Sequence, residues 1–333
     1  MATIGTSALT LADWAKRVDP DGKVPAIVEL LGQTNEILDD MLFLEGNLPT
    51  GHRTSVRTGL PTVAWKLINQ GVTPSKSTTA QIDEAVGIME AWSEVDKDLA
   101  ELNGNTSAFR LSEAQAFIEA MNQEMASTLF YGNSTTAPEE FTGLAPRYSD
   151  LSATNGQNVL TGGGSGSDNS SIWLICWGAQ SVHGIFPKGS MAGLQHEDFG
   201  EVTIQDSTGL GTSRLRAYQD KWCWKVGIAL RDWRYAVRIP NIDISDLIAN
   251  GGSAADIINL MIKAIHRLPS ISMGRCAFYM NRTVMQMLDI QRRDDVAAAG
   301  MRYDEVDGKM VPTFRNIPIR KVDALLETEA TVA

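Results

Sequence analysis

Residues that cross-link chains, hold metals or act as general bases are scarce in this sequence. Three cysteines and four histidines are spread over 333 residues. Cys176, Cys223 and Cys276 are odd in number, far apart and each set among apolar neighbours. That pattern fits reduced core thiols, not a disulfide framework. His52, His183, His196 and His266 stand alone, without the i, i+4 spacing of a helical zinc site. No apolar run approaches the ~18 residues of a membrane span, and residues 1–10 lack the basic and apolar parts of a signal peptide. Positive charge is also short, with 29 Lys and Arg against 40 Asp and Glu for a net charge of −11. No global attraction to nucleic acid or anionic lipid is expected from that balance.

Catalytic patterns are missing too. The Gly-rich run at 162–166 lacks the Gly-Lys-Ser/Thr ending that holds phosphate and magnesium. Pro187-Lys188-Gly189-Ser190 has no preceding glycine frame, and no Gly-x-Ser-x-Gly elbow occurs. Asp39-Asp40 and Asp294-Asp295 read as solvated charge, and Arg292-Arg293 is neutralised by the aspartates that follow it. No catalytic, cofactor-binding or metal-ligating residue is assigned, no cofactor is expected, and the chain reads as a non-enzyme.

What the sequence does hold is pattern. The best-specified stretch is a helix over 112–132. Ser112 and Gln115 have capping-box spacing. Ala114, Phe117, Ile118, Met121, Met125 and Leu129 form one apolar stripe, and Gly132 stands where a left-handed residue would end the helix. Upstream, Leu11, Trp14, Ala15 and Val18 mark a short amphipathic helix, and Pro25 opens a second one that runs through Ile37 to Met41. Between them and the long helix, 62–68 is rich in strand formers. The 81–95 stretch fits a strand by parity, with a helix as the competing period. The polar segment 69–79 separates the two. Two long strands joined by a polar tip form a hairpin that cannot stand alone in water. It must lie on its own domain or on another chain.

Downstream, 155–171 reads as a flexible Gly/Ser/Asn connector and 171–177 as a buried strand. Trp222, Trp224, Val226, Ile228 and Leu230 share one strand face, and the switch to Trp233, Tyr235, Val237 and Ile239 suggests a bulge or bend. Ser253 and Asp256 cap a helix ended by Pro269, Cys276 to Met280 is a strand, and Asn281 caps a short helix through Leu288. A charged loop spans 291–308, and strands at 310–314 and 317–322 close the chain. The sum is an α+β protein rather than an alternating βαβ series.

This order of parts resembles a tailed-bacteriophage major capsid protein of the Hong Kong 97 type. The wording is similar to capsid proteins of short-tailed phages in three runs: Leu60-Pro61-Thr62-Val63-Ala64-Trp65, Gly71-Val72-Thr73-Pro74-Ser75-Lys76 and Glu94-Val95-Asp96-Lys97-Asp98-Leu99. The resemblance implies an N-terminal arm at 1–46 and an extended β-hairpin loop at 47–100. It implies a peripheral domain from 101–160 and 270–333 with a spine helix at 112–132, and a mainly axial domain at 161–269. It further implies a structural subunit that self-assembles into hexamers and pentamers of an icosahedral head around double-stranded DNA. Such a subunit is made in the host bacterial cytoplasm and located in the virion. Contacts between subunits would fall on Trp14, Trp65, Lys66, Val72, Pro74, Lys76, Ile82 and Trp92. Expected partners are other copies of the chain, a portal, a separate scaffolding protein and a decoration protein. Packaged DNA would be touched only weakly, and membranes not at all. Two alternatives stay open: another self-assembling virion protein such as a tail-tube subunit, and a cytosolic hydrolase that gathers His183 or His196 with carboxylates.

Overall fold

The computed structural model describes residues 9, 32–102, 106–205, 214–249, 255–294, 301–306 and 309–333, with the side chains of 292–310 outside that description. Trp14, the first expected helix and residues 25–31 of the second lie outside the described residues, and 32–36 of the second are not helical. The remainder of the second helix is a single turn, α1 (Ile37–Asp40), because Met41 is already extended and leads into β1 (Phe43–Glu45). β2 (Gly51–Gly59) and β3 (Thr78–Ala85) form a two-stranded antiparallel ribbon of their own. β4 (Gly87–Asp96), the short α2 (Lys97–Glu101) and the long α3 (Thr106–Tyr131) follow. Next come β5 (Asn169–Trp177), β6 (Val182–Phe186), β7 (Gln195–Gln205), β8 (Arg214–Leu230) and β9 (Ala236–Asp243). Helices α4 (Ile244–Ala249) and α5 (Ile257–Arg267), strand β10 (Arg275–Met280), helix α6 (Arg282–Asp294) and strands β11 (Met301–Val306), β12 (Lys309–Phe314) and β13 (Ile317–Lys321) complete the chain. No described helix is long and apolar enough to cross a membrane.

β8 is the strand on which two packing units meet. Its N-terminal two-thirds lies between β4 and β7, antiparallel to both. Its last residues, Gly227 to Leu230, pair instead with β6. α3 lies along the first unit: Phe117 stacks on Trp222 with ring centroids 5.2 Å apart, and Phe109 packs with Val95 and Ala100. At 1.5 Å per residue, the 26 residues of α3 span roughly 39 Å. The second unit is centred on β5, whose nine residues are all buried. β9 and β10 flank β5 antiparallel, and β13 continues the sheet parallel to β10. α4 and α5 touch β9, with α6 against both. A strand covered on both faces needs apolar side chains on both, which explains why Ile172-Trp173-Leu174-Ile175-Cys176-Trp177 does not alternate.

Two buried ionic nodes tie the chain ends to this core. Arg238 pairs with Glu329 at 2.8 Å, each about 5% exposed or less. Glu329 also accepts hydrogen bonds from Ser171 and from the Tyr131 hydroxyl, so the C-terminal tail, β5, β9 and the end of α3 converge there. Asp40 accepts from Arg320 and from Tyr279, whose hydroxyl accepts from Trp177 Nε1 at 2.7 Å.

Several local expectations change. The strand expected at 62–68 does not form, and its residues belong to the irregular tip between β2 and β3. Strand formers there have no partner backbone to pair with. The 81–95 stretch is strand throughout, broken only at Val86, so the helical period is the wrong one. α3 starts at Thr106, which places Ser112 inside the helix, and its hydroxyl has no partner there. Gly132 is not left-handed. It is a glycine because an added Cβ would lie 2.6 Å from the carbonyls of Thr128 and Phe141.

The 155–168 connector is pinned, not flexible: Leu160, Gly162 and Gly164 N–H groups donate to the Arg238, Pro240 and Asn241 carbonyls of β9. Of the bulge or bend expected at the parity switch after Asp232, the structure shows the bend. β8 ends, one 3-10 turn intervenes, and β9 joins a different neighbour. Asp256 caps α5 by accepting from Asn259 N–H at 2.9 Å, as expected, and Ser253 lies outside the described residues. The expected 291–308 loop holds the end of α6 and β11. β10 pairs with β5 at the Cys276–Cys176 register, so one sheet holds strands from both sides of residue 270.

Candidate functional site

The described surface has one feature with no cover of its own: the β2–β3 ribbon and its tip. Register runs from Gly51 opposite Ala85 to Gly59 opposite Thr78. Arg53 clamps Asp83 through two bonds of 2.6 Å, and Thr58 meets Thr78 at 3.1 Å. Beyond Gly59 the chain keeps a turn at 67–70, where Asn69 takes a positive φ, and one bond from Ser75 to the Thr62 carbonyl at 2.9 Å. Leu60, Val63, Trp65, Leu67 and Ile68 are each more than two-thirds exposed, and Trp65 is wholly so. Scattered exposed apolar residues are ordinary, but a contiguous set of this size marks an interaction surface.

The ribbon is held at its root, not along its length. Glu84 on β3 is buried and takes a fork of two 2.6 Å bonds from Arg147. His52, opposite Glu84 on β2, lies edge-on to His183 of β6 with ring centroids 5.9 Å apart. Arg231 reaches the His52 ring at 3.0 Å, and the Asn47 N–H approaches its other nitrogen at 3.3 Å. Burial, then Arg231, holds His52 below the ordinary histidine pKa. The same two causes, with His52 added, push His183 down to about 4. Both rings are therefore neutral near pH 7. Gly227 completes the root, since a Cβ there would come within 2.5 Å of the Ala85 carbonyl.

Six of the residues singled out from sequence fall on this ribbon: Trp65, Lys66, Val72, Pro74, Lys76 and Ile82, all exposed. Trp92 does not. It sits in β4, stacked on Phe199 of β7 at 5.6 Å with Lys221 over its ring, so it belongs to the face of the large sheet. Trp14 lies outside the described residues. Sequence reasoning does not single out Leu60, Val63, Leu67 and Ile68 as contacts, because 62–68 reads only as one strand of the hairpin. The root cluster of His52, Glu84, Arg147, His183 and Arg231 left no local signal, since its members come from five separate segments.

The arrangement offers little to a chemical reaction. Among the described residues no three His, Cys, Asp or Glu side chains gather as metal ligands. A polar pocket of about 480 Å3 collects Asp243, Asp246, Asp256 and Lys263 beside Gly162–Ser165. There Asp243 caps α4 through the Asp246 N–H, and Asp256 caps α5. His196 does meet a carboxylate, Asp220, at 2.9 Å, but Asp220 is already bound by Arg110 and no hydroxyl or thiol bonds to the ring among the described residues. The buried, unoxidised thiols Cys176 and Cys276 face each other across β5 and β10. The adjoining Cys176 thiol, then burial, pushes the Cys276 thiol well above its usual range.

Comparison with known proteins points the same way. Residues 19–333 match the family described as major capsid protein GP7. The chain is similar to one in the solved structure of bacteriophage Epsilon15, with 31% identity and a TM-score of 0.81 over 100% of this chain and 99% of that one. The bacteriophage JBD30 capsid shares the fold at 10% identity and a TM-score of 0.50, over 89% of this chain and 92% of that one. No curated protein matches the chain.

Proposed function

This chain belongs to the major capsid protein GP7 family, and on that premise we propose that its projecting hairpin is the element that joins one subunit to the next. The protein is a structural subunit of an icosahedral phage head with the Hong Kong 97-type fold. The single observation that carries the hairpin's role is the run of large apolar side chains from Leu60 to Ile68 left in water on a ribbon anchored only at its root. Covering an aliphatic side chain contributes roughly 1.5–3 kcal/mol, offset in part by ordering the tip. Repeated at every subunit, a modest surplus holds a closed shell.

In this reading β4, β7 and β8 with α2 and α3 form the peripheral part. The β5-centred sheet with α4, α5 and α6 forms the axial part around which hexamers and pentamers close. Residues 32–46 belong to the body, since Asn35 bridges to Val322 and β1 pairs with β6. An arm therefore means at most the segment before them. Neither alternative is favoured: the family is that of a capsid protein rather than a tube, and among the described residues no hydroxyl or thiol is hydrogen-bonded to His183 or His196. Partners are other copies of the chain first, then a portal, a separate scaffolding protein and a decoration protein, with assembly in the host cytoplasm and the finished product in the virion. A net charge of −11 disfavours tight DNA contact. Filter binding of the purified subunit to duplex DNA is expected to show no salt-sensitive submicromolar affinity.

The test of the main reading removes residues 61–76 and closes β2 to β3 with an Asn-Gly turn. A folded subunit that forms no closed particles by negative-stain microscopy is the expected result. Particles at wild-type yield would overturn the reading.

A further inference from the structure

A pocket of about 310 Å3 opens where α3 passes the start of β4. Its walls are largely apolar, from Ile88, Met89, Met125, Phe141, Trp224 and Val226, and Glu124, Glu139 and Glu140 also line it. None of these three carboxylates is in an ion pair among the described residues. The indole Nε1 of Trp224 is buried with no acceptor. An apolar pocket with acidic groups and an unfilled donor suits an apolar side chain with a cation beside it and backbone carbonyls to offer.

The hairpin tip has that chemistry. Trp65 is wholly exposed and is followed directly by Lys66. From residue 60 to 82 the charged residues are Lys66 and Lys76, with no Asp or Glu, in a chain whose net charge is −11. The carbonyls from Val63 to Lys66 accept no hydrogen bond among the described residues. A tryptophan buries ~150–250 Å2 on docking, and the apolar walls of Ile88, Met89, Met125, Phe141 and Val226 offer it cover.

Geometry rules out the tip's own pocket. Gly87, Ile88 and Met89 follow β3 directly, so the pocket lies at the hairpin's root. The strands carry the tip away by about 3.3 Å per residue, or roughly 25 Å over the eight residues of β3. We propose that the pocket beside α3 receives Trp65 from a second copy of this chain, with Lys66 of that copy set against Glu139 and Glu140. The proposal rests on the hairpin reading above and makes it specific: tip to root, copy after copy. That joint is heterologous, the kind that closes into a ring when the rotation between copies allows.

Two arms test it in the full-length chain. In the first, Trp65→Cys and Glu139→Cys are placed on separate chains, co-assembled and treated with a short bismaleimide; the native thiols are buried. A covalent dimer containing one of each variant is expected, and a multi-subunit ladder from the double variant, whereas Trp65→Cys with Phe199→Cys gives neither. In the second arm, Lys66→Glu is expected to lower particle yield at least tenfold, and adding Glu139→Lys and Glu140→Lys to restore it to within twofold. The pocket assignment falls if residue 65 links to 199 rather than 139. It also falls if residue 139 links instead to the N-terminal segment or to another protein, or if the charge reversal fails to restore yield. Those results leave the hairpin reading standing wherever removal of 61–76 still abolishes shells; if that deletion leaves shells intact, both readings fall.

Discussion

His183 has no exposed surface, and Arg231 and the His52 ring beside it both disfavour its protonation. Its pKa falls from 6.5 to about 4 on folding, so the unfolded chain binds its proton first as pH drops. Stability is whole above pH 6.5 and is lost as pH falls toward 4, by up to ~3 kcal/mol. His52, also lowered, adds to the same slope, and Glu84 opposes it. Urea denaturation between pH 7 and 4 is expected to show this slope, and His183→Leu to flatten it; an unchanged slope would exclude His183 as its source. At Glu329 the charge is paired and buried with Arg238. Glu329→Ala leaves that guanidinium without its partner and is expected to cost about 3–5 kcal/mol. The double variant Arg238→Met, Glu329→Leu is expected to recover most of the loss in the same denaturation measurement.

For elements, the register of α3 gives the clearest contrast. Were Ser112 an N-cap, Ser112→Ala would cost about 1 kcal/mol. Inside α3, with its hydroxyl unpartnered, the same change is expected to raise stability by a few tenths of a kcal/mol, since Ala is the better helix former. Thermal unfolding separates the two signs. Asp256→Ala, by contrast, removes a cap that is present and is expected to cost ~1 kcal/mol. The β2–β3 ribbon shows how an element's existence can be legible while its bounds are not. Polar and glycine residues announced a tip, but Thr62 to Ile68 reads as a strand because β-branched and aromatic residues favour a half-buried pleat. In the monomer nothing supplies the other half. Those side chains wait for a surface, and the backbone around them stays irregular.

Across the whole molecule, 31% identity and a TM-score of 0.81 over nearly the full length of both chains show how well the order of parts predicted the architecture. That order, a polar-tipped hairpin before a long helix before a strand-rich body, was readable because each piece carries a short-range period: two for strands and 3.6 for helices. The apolar face of β8, the unbroken hydrophobic run of β5 and the cap of α6 at Asn281 all follow from neighbours in the chain. Pairings between distant segments do not. Nothing local says that β10 joins β5 and so carries the chain's last strands into the central sheet, that Gly162 and Gly164 bond to β9, or that His52, Glu84, Arg147, His183 and Arg231 meet at the hairpin's root. Those outcomes depend on which faces remain to be buried once the long elements pack. Periodicity along the chain specifies each face, whereas closing space around it selects the partner.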